Sequence, residues 1–466
     1  MKFWMRLIAV VPLLGGAAGF VVAVRSQNDA ATTTEISLPA GGALVGNTRF
    51  CPGIPGGDLA DGGWITIGNT SDASAEAHIT WLTPEGHDTT VTVVDPRSSA
   101  TVQLKDKQDV AAAIVEVNVP DAIVEQHSTS AAGTIRTLCT DQTATDWYFA
   151  DGFTASSSDE WIVLSNPYAD AAIVDVSYST VAGRQRPNAF QGYVVPPESV
   201  KVLDVAELGA RNEQVVSINV QASIGRIVAG RVQRYRGSGR QGLSVSLGIT
   251  NASKDWWFGF GDTSANTAEQ LVVYNPGETP VTVEVLVTGY KPKTAVVQPF
   301  SIEVPTGASS VIDMNSIGGL PSGNHAISIT AVNNAAVVVE RVINVIAVNG
   351  SIATTVASGI PQARLTQIWD IARINAGEKI SVVNITSRKV TFSVASFGPA
   401  GDVPIAGLEN LTIAPGVSMI IEIPDPAPNG PVRVRGDRNL IVEYVSSRGE
   451  GLLGYSASLA QPIAGS

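Results

Sequence analysis

The chain has 466 residues, with 42 Asp and Glu against 30 Lys and Arg and a formal net charge of −12. That balance excludes nucleic acid as a general partner, because phosphate binding needs clustered cations, and it argues against adhesion to an anionic membrane face along the whole chain. Charged residues are only 15% of the total, so short apolar runs rich in Val, Ala, Ser and Thr favour an all-β chain over helical bundles.

Lys2 and Arg6 precede an uncharged run from Leu7 to Val24, which Arg25 closes. The run is long enough to span a bilayer, and the leading positive charge places its amino end in the cytoplasm. Residues 1–25 therefore read as a signal anchor forming one transmembrane helix, with cleavage after Ala23 as the alternative that would release the protein. Either way the body is exported. Residues 26–47 are polar and punctuated by Gly and Pro, the composition of a linker.

Beyond the linker one pattern recurs four times. An apolar run ends in Asn69, Asn166, Asn275 or Asn384, a polar turn follows, and an alternating strand resumes. The markers lie 97, 109 and 109 residues apart, which predicts four units at 48–141, 145–250, 254–359 and 366–466. Ile65 and Ile67, Ile162 and Leu164, Leu271 and Val273, and Ile380 and Val382 precede the markers at matching offsets. Ala77 and Ile79, Val174 and Val176, Val283 and Val285, and Phe392 and Val394 follow them. Strand side chains alternate with period two, so these sets face one core in every copy. The Asn is read as a turn residue that fixes register through its side chain. Seven or eight strands per unit predict immunoglobulin-like or fibronectin-like β-sandwiches. In the first unit Cys51 and Cys139 are expected to pair outside the cytoplasm, at a chain-entropy gain of about 4–5 kcal/mol.

The DWYFADG opening of the second unit at Asp146, its LSNP strand end and the VVVERV strand at Val337 resemble an uncharacterised actinobacterial family of exported proteins, domain of unknown function 5719. The resemblance is clearest in units two and three; unit one departs with Arg49-Phe50-Cys51 and unit four with Ile368-Trp369. It implies a single-anchor chain of sandwich repeats and no agreed activity or ligand.

Residues able to carry chemistry are sparse. His78, His87 and Asp88 would need a folded hairpin to hold zinc, and solvated surface histidines are the better reading. The Gly237–Gly242 stretch lacks a following helix to bind phosphate, and Asp58 with Asp61 lacks a complete calcium loop. Glu125, Glu340 and Glu443 recur near the ends of three units, with Gly230 in the second. Recurrence points to a structural role, for instance salt bridges on an outer sheet face. Two features could serve binding. Trp256 and Trp257 are adjacent and must face opposite ways in a strand, with Tyr148 corresponding in unit two; an exposed aromatic could stack on a sugar, and packing at a unit junction is the alternative. Arg231, Arg234 and Arg236 belong to a basic stretch that could meet an anionic envelope polymer or acidic partner. The expected protein is a membrane-anchored rod or arc of four sandwiches, a non-catalytic structural or interaction protein of the cell envelope with no cofactor or metal. Its partners would be the membrane, through the amino-terminal helix, and an envelope protein or glycopolymer. A carbohydrate-binding or adhesin role is the alternative.

Overall fold

The computed structural model describes residues 47–54, 62–104, 110–289, 297–332 and 335–463. The predicted anchor, the linker up to Gly46, and the Asp58–Asp61 turn lie outside these residues. Among the described residues regular structure is antiparallel strands with a few single-turn 3-10 segments, and no helix is long and apolar enough to cross a membrane.

The second unit shows the plan. Strands Asp159–Asn166, Ser199–Asp204, Val228–Gly237 and Arg240–Leu247 form one sheet, and Asp146–Phe149, Ala172–Thr180, Gly183–Gln185, Tyr193–Val195 and Ser217–Ile224 form the other. The two pack over a core of Trp147, Ile162, Leu164, Val174, Val176, Ile218 and Val220. Units one and three repeat this two-sheet arrangement. In unit four the long strand Val432–Ser447 pairs with both Thr366–Ile371 and Lys379–Val383, so one strand passes through both layers.

Alternation decides which side chains enter each core. In Val281–Thr288 the four valines point inward, while Thr282, Glu284 and Leu286 point out. Every one of the sixteen positions expected around the Asn markers is buried, at no more than 1% exposure. Ile79, Val176, Val285 and Val394 thus occupy equivalent sites.

The marker Asn does more than shape its own turn. Asn166 accepts from the Tyr168 N–H and donates to the carbonyls of Asp170, Val195 and Pro196. Asn69 and Asn275 repeat the set, and Asn384 does so with Arg388 and Ile413. Each side chain ties its turn to a second turn about thirty residues on, so one amide fixes the register of two sheets.

After the last strand of its second sheet, each unit returns to pair with its own first strand, at Phe50↔Thr140, Tyr148↔Ile249, Trp257↔Ile360 and Trp369↔Pro462. Next to this seam, a Cβ on Gly248 would lie 2.8 Å from Phe149, and one on Gly359 3.0 Å from Phe258. Glycine therefore admits an aromatic ring there in units two and three. Unit one replaces ring and glycine by the Cys51–Cys139 disulfide, with a Cα–Cα distance of 4.7 Å.

The rod or arc is corrected. The units close on themselves, unit four packing on unit one, in a single compact body. Strands Gly133–Leu138, Arg240–Leu247, Ile352–Ser358 and Tyr455–Leu459 meet around a common axis. The Thr137 hydroxyl donates to Val245 O, the Gln241 N–H to Thr354, the Thr355 hydroxyl to Tyr455 O, and the Arg136 N–H to Ser456. The reason lies in the strands before them. Val338–Ile346 is buried on both faces along most of its length, a pattern that a separate sandwich with one solvated sheet face would not give.

Candidate functional site

The recurring glutamates lie at the contacts between units. Glu340 is fully buried, accepts the Asp151 N–H of unit two at 2.6 Å, and pairs with Arg231 at 2.9 and 3.1 Å. Glu443 accepts the Gly259 N–H of unit three at 2.6 Å and the Arg341 guanidinium at 3.0 Å. Glu125 accepts the Ala372 N–H of unit four and the Tyr444 hydroxyl, both at 3.2 Å. The expected outer-face salt bridges are therefore corrected to buried junctions. Period two explains the relay: Glu340 shares a face with Val338 and Val342, which pack on unit two, whereas Arg341 shares one with Ile343, which packs on unit four.

Gly230 takes the glutamate's place in unit two because its neighbour differs. It faces Pro52, whose nitrogen has no hydrogen to donate. A Cβ on Gly230 would lie 2.8 Å from the Pro52 carbonyl oxygen. This junction is apolar, with Leu82, Ala111, Ala112 and Ile135 against Val163, Val232, Leu243 and Val245.

The contact of units two and three carries the densest charge. Arg240 pairs with Asp151 at 2.7 and 2.9 Å. Burial pushes the Glu340 carboxyl up, against the Arg231 charge and the N–H groups of Asp151 and Ala150. Burial also lifts Glu160 to about 8; Arg231 opposes this, while Asp151 and Glu340 reinforce it. Three carboxyls thus meet two guanidiniums, and a protonated Glu160 balances the cluster. At the next junction but one, burial raises the Glu125 carboxyl against Arg136, 3.5 Å away.

The residues expected to bind a partner fare unevenly. Arg231 is 1% exposed and belongs to the junction just described, so its reading as a ligand contact is overturned. Trp256 is fully buried in the core of unit three, with its indole N–H on Val337 O. Trp257 is half-buried and packs against unit four, while Tyr148 packs among Val272 and Tyr274 of unit three. Both are junction aromatics. Arg234, half-buried, lies over the Trp161 ring and 3.7 Å from Asp159, which the exposed Arg236 also pairs with at 2.5 Å, so these two share one face of their strand. His78 is half-buried beside Glu76 at 2.8 Å and sits opposite Val91; His87 is exposed opposite Leu82. Two histidines not singled out for a role are buried: His127 stacks on Trp64, and His325 lies 2.9 Å from Glu269.

A cavity of about 500 Å³ opens on the axis. All four innermost strands, and the segments following the first three, line it, including Thr137, Ser246, Ser358 and Ser458 with Trp147 and Trp256. No single repeat contains it, so no repeat motif in the sequence marked it. Its only signal was the Ser and Thr content of the last strand in each copy.

The family comparison follows this architecture across the units. A model described as "Family of unknown function (DUF5719)" matches residues 110–246 and 237–430, from unit one into unit four. The chain belongs to this DUF5719 family. No curated protein matches the chain. Among solved structures, a protein titled "Crystal Structure of Thermotoga maritima 1070" is similar at 15% identity and TM-score 0.20, over 24% of this chain and 97% of its own. A tetra-tandem repeat from the extending region of a large adhesion protein is similar at 14% identity and TM-score 0.12, over 89% of this chain and 99% of its own. Likenesses this low carry no functional argument for the DUF5719 chain.

Proposed function

We propose that this protein is a non-catalytic structural or interaction protein of the cell envelope, held at a membrane by its amino-terminal segment with its body outside the cytoplasm. Ring closure is the observation that carries the reading. The recurrent charged positions Glu125, Arg231, Glu340, Arg341 and Glu443 are occupied in joining units. Their carboxylates are engaged by guanidiniums and backbone N–H groups, an arrangement that supports rigidity rather than turnover. The residues lining the axial cavity among those described include no Asp, Glu or His, the usual groups for general acid–base work. The disulfide in unit one fits an oxidising compartment. An immunoglobulin-like or fibronectin-like sandwich architecture for the units fits their two-sheet cores. Glycan stacking through Trp257 or Tyr148 is disfavoured by the packing of both at junctions. The strand face carrying Arg234 and the exposed Arg236 is the better surface for an envelope partner.

Protease added to intact spheroplasts tests the location, and a photo-crosslinker placed at Arg236 tests the partner. The reading expects digestion of the body from outside and one envelope component captured at Arg236. Protection of the body until lysis contradicts the location, and turnover of an envelope polymer by the purified protein contradicts the non-catalytic role.

A further inference from the structure

Arg448 is 1% exposed and reaches across the axis between the units. Its Nε donates to Tyr455 O at 3.2 Å, and its Nη2 bonds Thr354 O and the Thr355 hydroxyl of unit three. Its backbone oxygen accepts the Thr134 N–H of unit one, and Nη1 lies 3.3 Å from where a Cβ of Gly242 in unit two would be. The buried guanidiniums at the unit contacts, Arg136, Arg231, Arg240 and Arg341, each have a carboxylate within 4 Å; Arg448 has none among the described residues. Its Nη1 has no hydrogen-bond partner among the described residues. Burial lowers its pKa, to about 10, which leaves the group charged at neutral pH.

The cavity that Arg448 helps to line has a consistent chemistry. Two further cations stand in the wall: the half-buried Arg364, beyond the end of Ile352–Ser358, and Arg136, which already pairs with Glu125 and Glu378. Hydroxyls and apolar side chains, including Leu247, Ile249 and Leu459, make up much of the rest. A chain with net charge −12 thus keeps carboxylates out of the lining of a space that all four units build together. A buried cation without a counter-charge is strongly unfavourable unless something supplies one, and oxyanions meet guanidinium in a geometry that amines do not match.

We infer that the axial cavity binds a small organic anion, its carboxylate or phosphate balanced by the cationic wall residues Arg448 and Arg364, with its apolar body against the inner-strand side chains. The volume falls in the range of small-ligand pockets. This assignment does not depend on the structural role proposed above, since a ring can hold distance with or without a ligand on its axis.

Calorimetric titration of the full chain in nanodiscs with benzoate, its neutral isostere benzamide, and inorganic phosphate tests it. Benzoate should bind with one site per chain, and benzamide about tenfold or more weakly. Arg448→Gln should abolish that preference. Arg364→Gln, on a half-buried residue outside the unit contacts, should weaken benzoate about three- to tenfold and leave benzamide unchanged. Phosphate binding lost in the same variants supports the oxyanion assignment. Equal affinity for benzoate and benzamide overturns it, as does anion binding unaffected by Arg364→Gln, or no saturable heat with either anion. Should Arg448→Gln fail to fold, Arg364→Gln and the isostere comparison still decide.

Discussion

At Glu340 burial and pairing act in opposite directions. Removing a carboxylate from water is costly, and Arg231 with the Asp151 N–H offsets that cost only while both are present. Glu340→Ala should therefore destabilise the protein by about 3–5 kcal/mol in denaturant unfolding, because it strands a buried guanidinium. Paired apolar replacement, Glu340→Leu with Arg231→Met, should cost far less. Glu160 gives a pH signature. Its folded pKa of about 8 lies above its ordinary carboxyl value, so between the two the folded state keeps a proton that the unfolded state has released. Its contribution is fully present below the ordinary carboxyl range and lost as pH rises through about 8. Tm should fall from pH 5 to pH 9, and Glu160→Gln should flatten that slope; an unchanged slope would remove Glu160 from the account. Asn275→Ala leaves three carbonyls without their donor and should cost roughly 2–3 kcal/mol. The Asn role was legible because turn chemistry is local. The destination of Arg231 was not, because a cation cluster in an acidic chain looks the same whether its carboxylates lie nearby in sequence or 109 residues away.

Among the elements, the strand carrying Val339, Glu340 and Arg341 decides the assembly. Sequence alternation correctly assigns residues to two faces, but a single strand does not say whether its second face meets water or another unit. The uninterrupted burial of Val338 to Asn344 answers that. The Glu-to-Gly exchange at position 230 was visible as an exception, and its cause, Pro52, lies in another unit. Gly230→Ala should cost about 1–3 kcal/mol by forcing a Cβ onto the Pro52 carbonyl. Gly318→Ala, whose Cβ meets nothing within 4 Å, should change stability by no more than about 0.5 kcal/mol. Equal effects at the two glycines would contradict the junction described for units one and two.

For the whole molecule, closure joins four interfaces into one body, since breaking any single junction leaves both partners held through the rest of the ring. The repeats and their cores could be read from spacing because each is a local matter of alternation and turn length. Closure and the axial cavity could not, because they depend on the angle between successive units, which no repeat encodes alone. Small-angle X-ray scattering of the body, residues 47–463, tests closure most directly. The ring predicts a radius of gyration of roughly 22 Å, the value for a compact chain of this length. A value of about twice that, with the long-tailed distance distribution of an extended array, would contradict it.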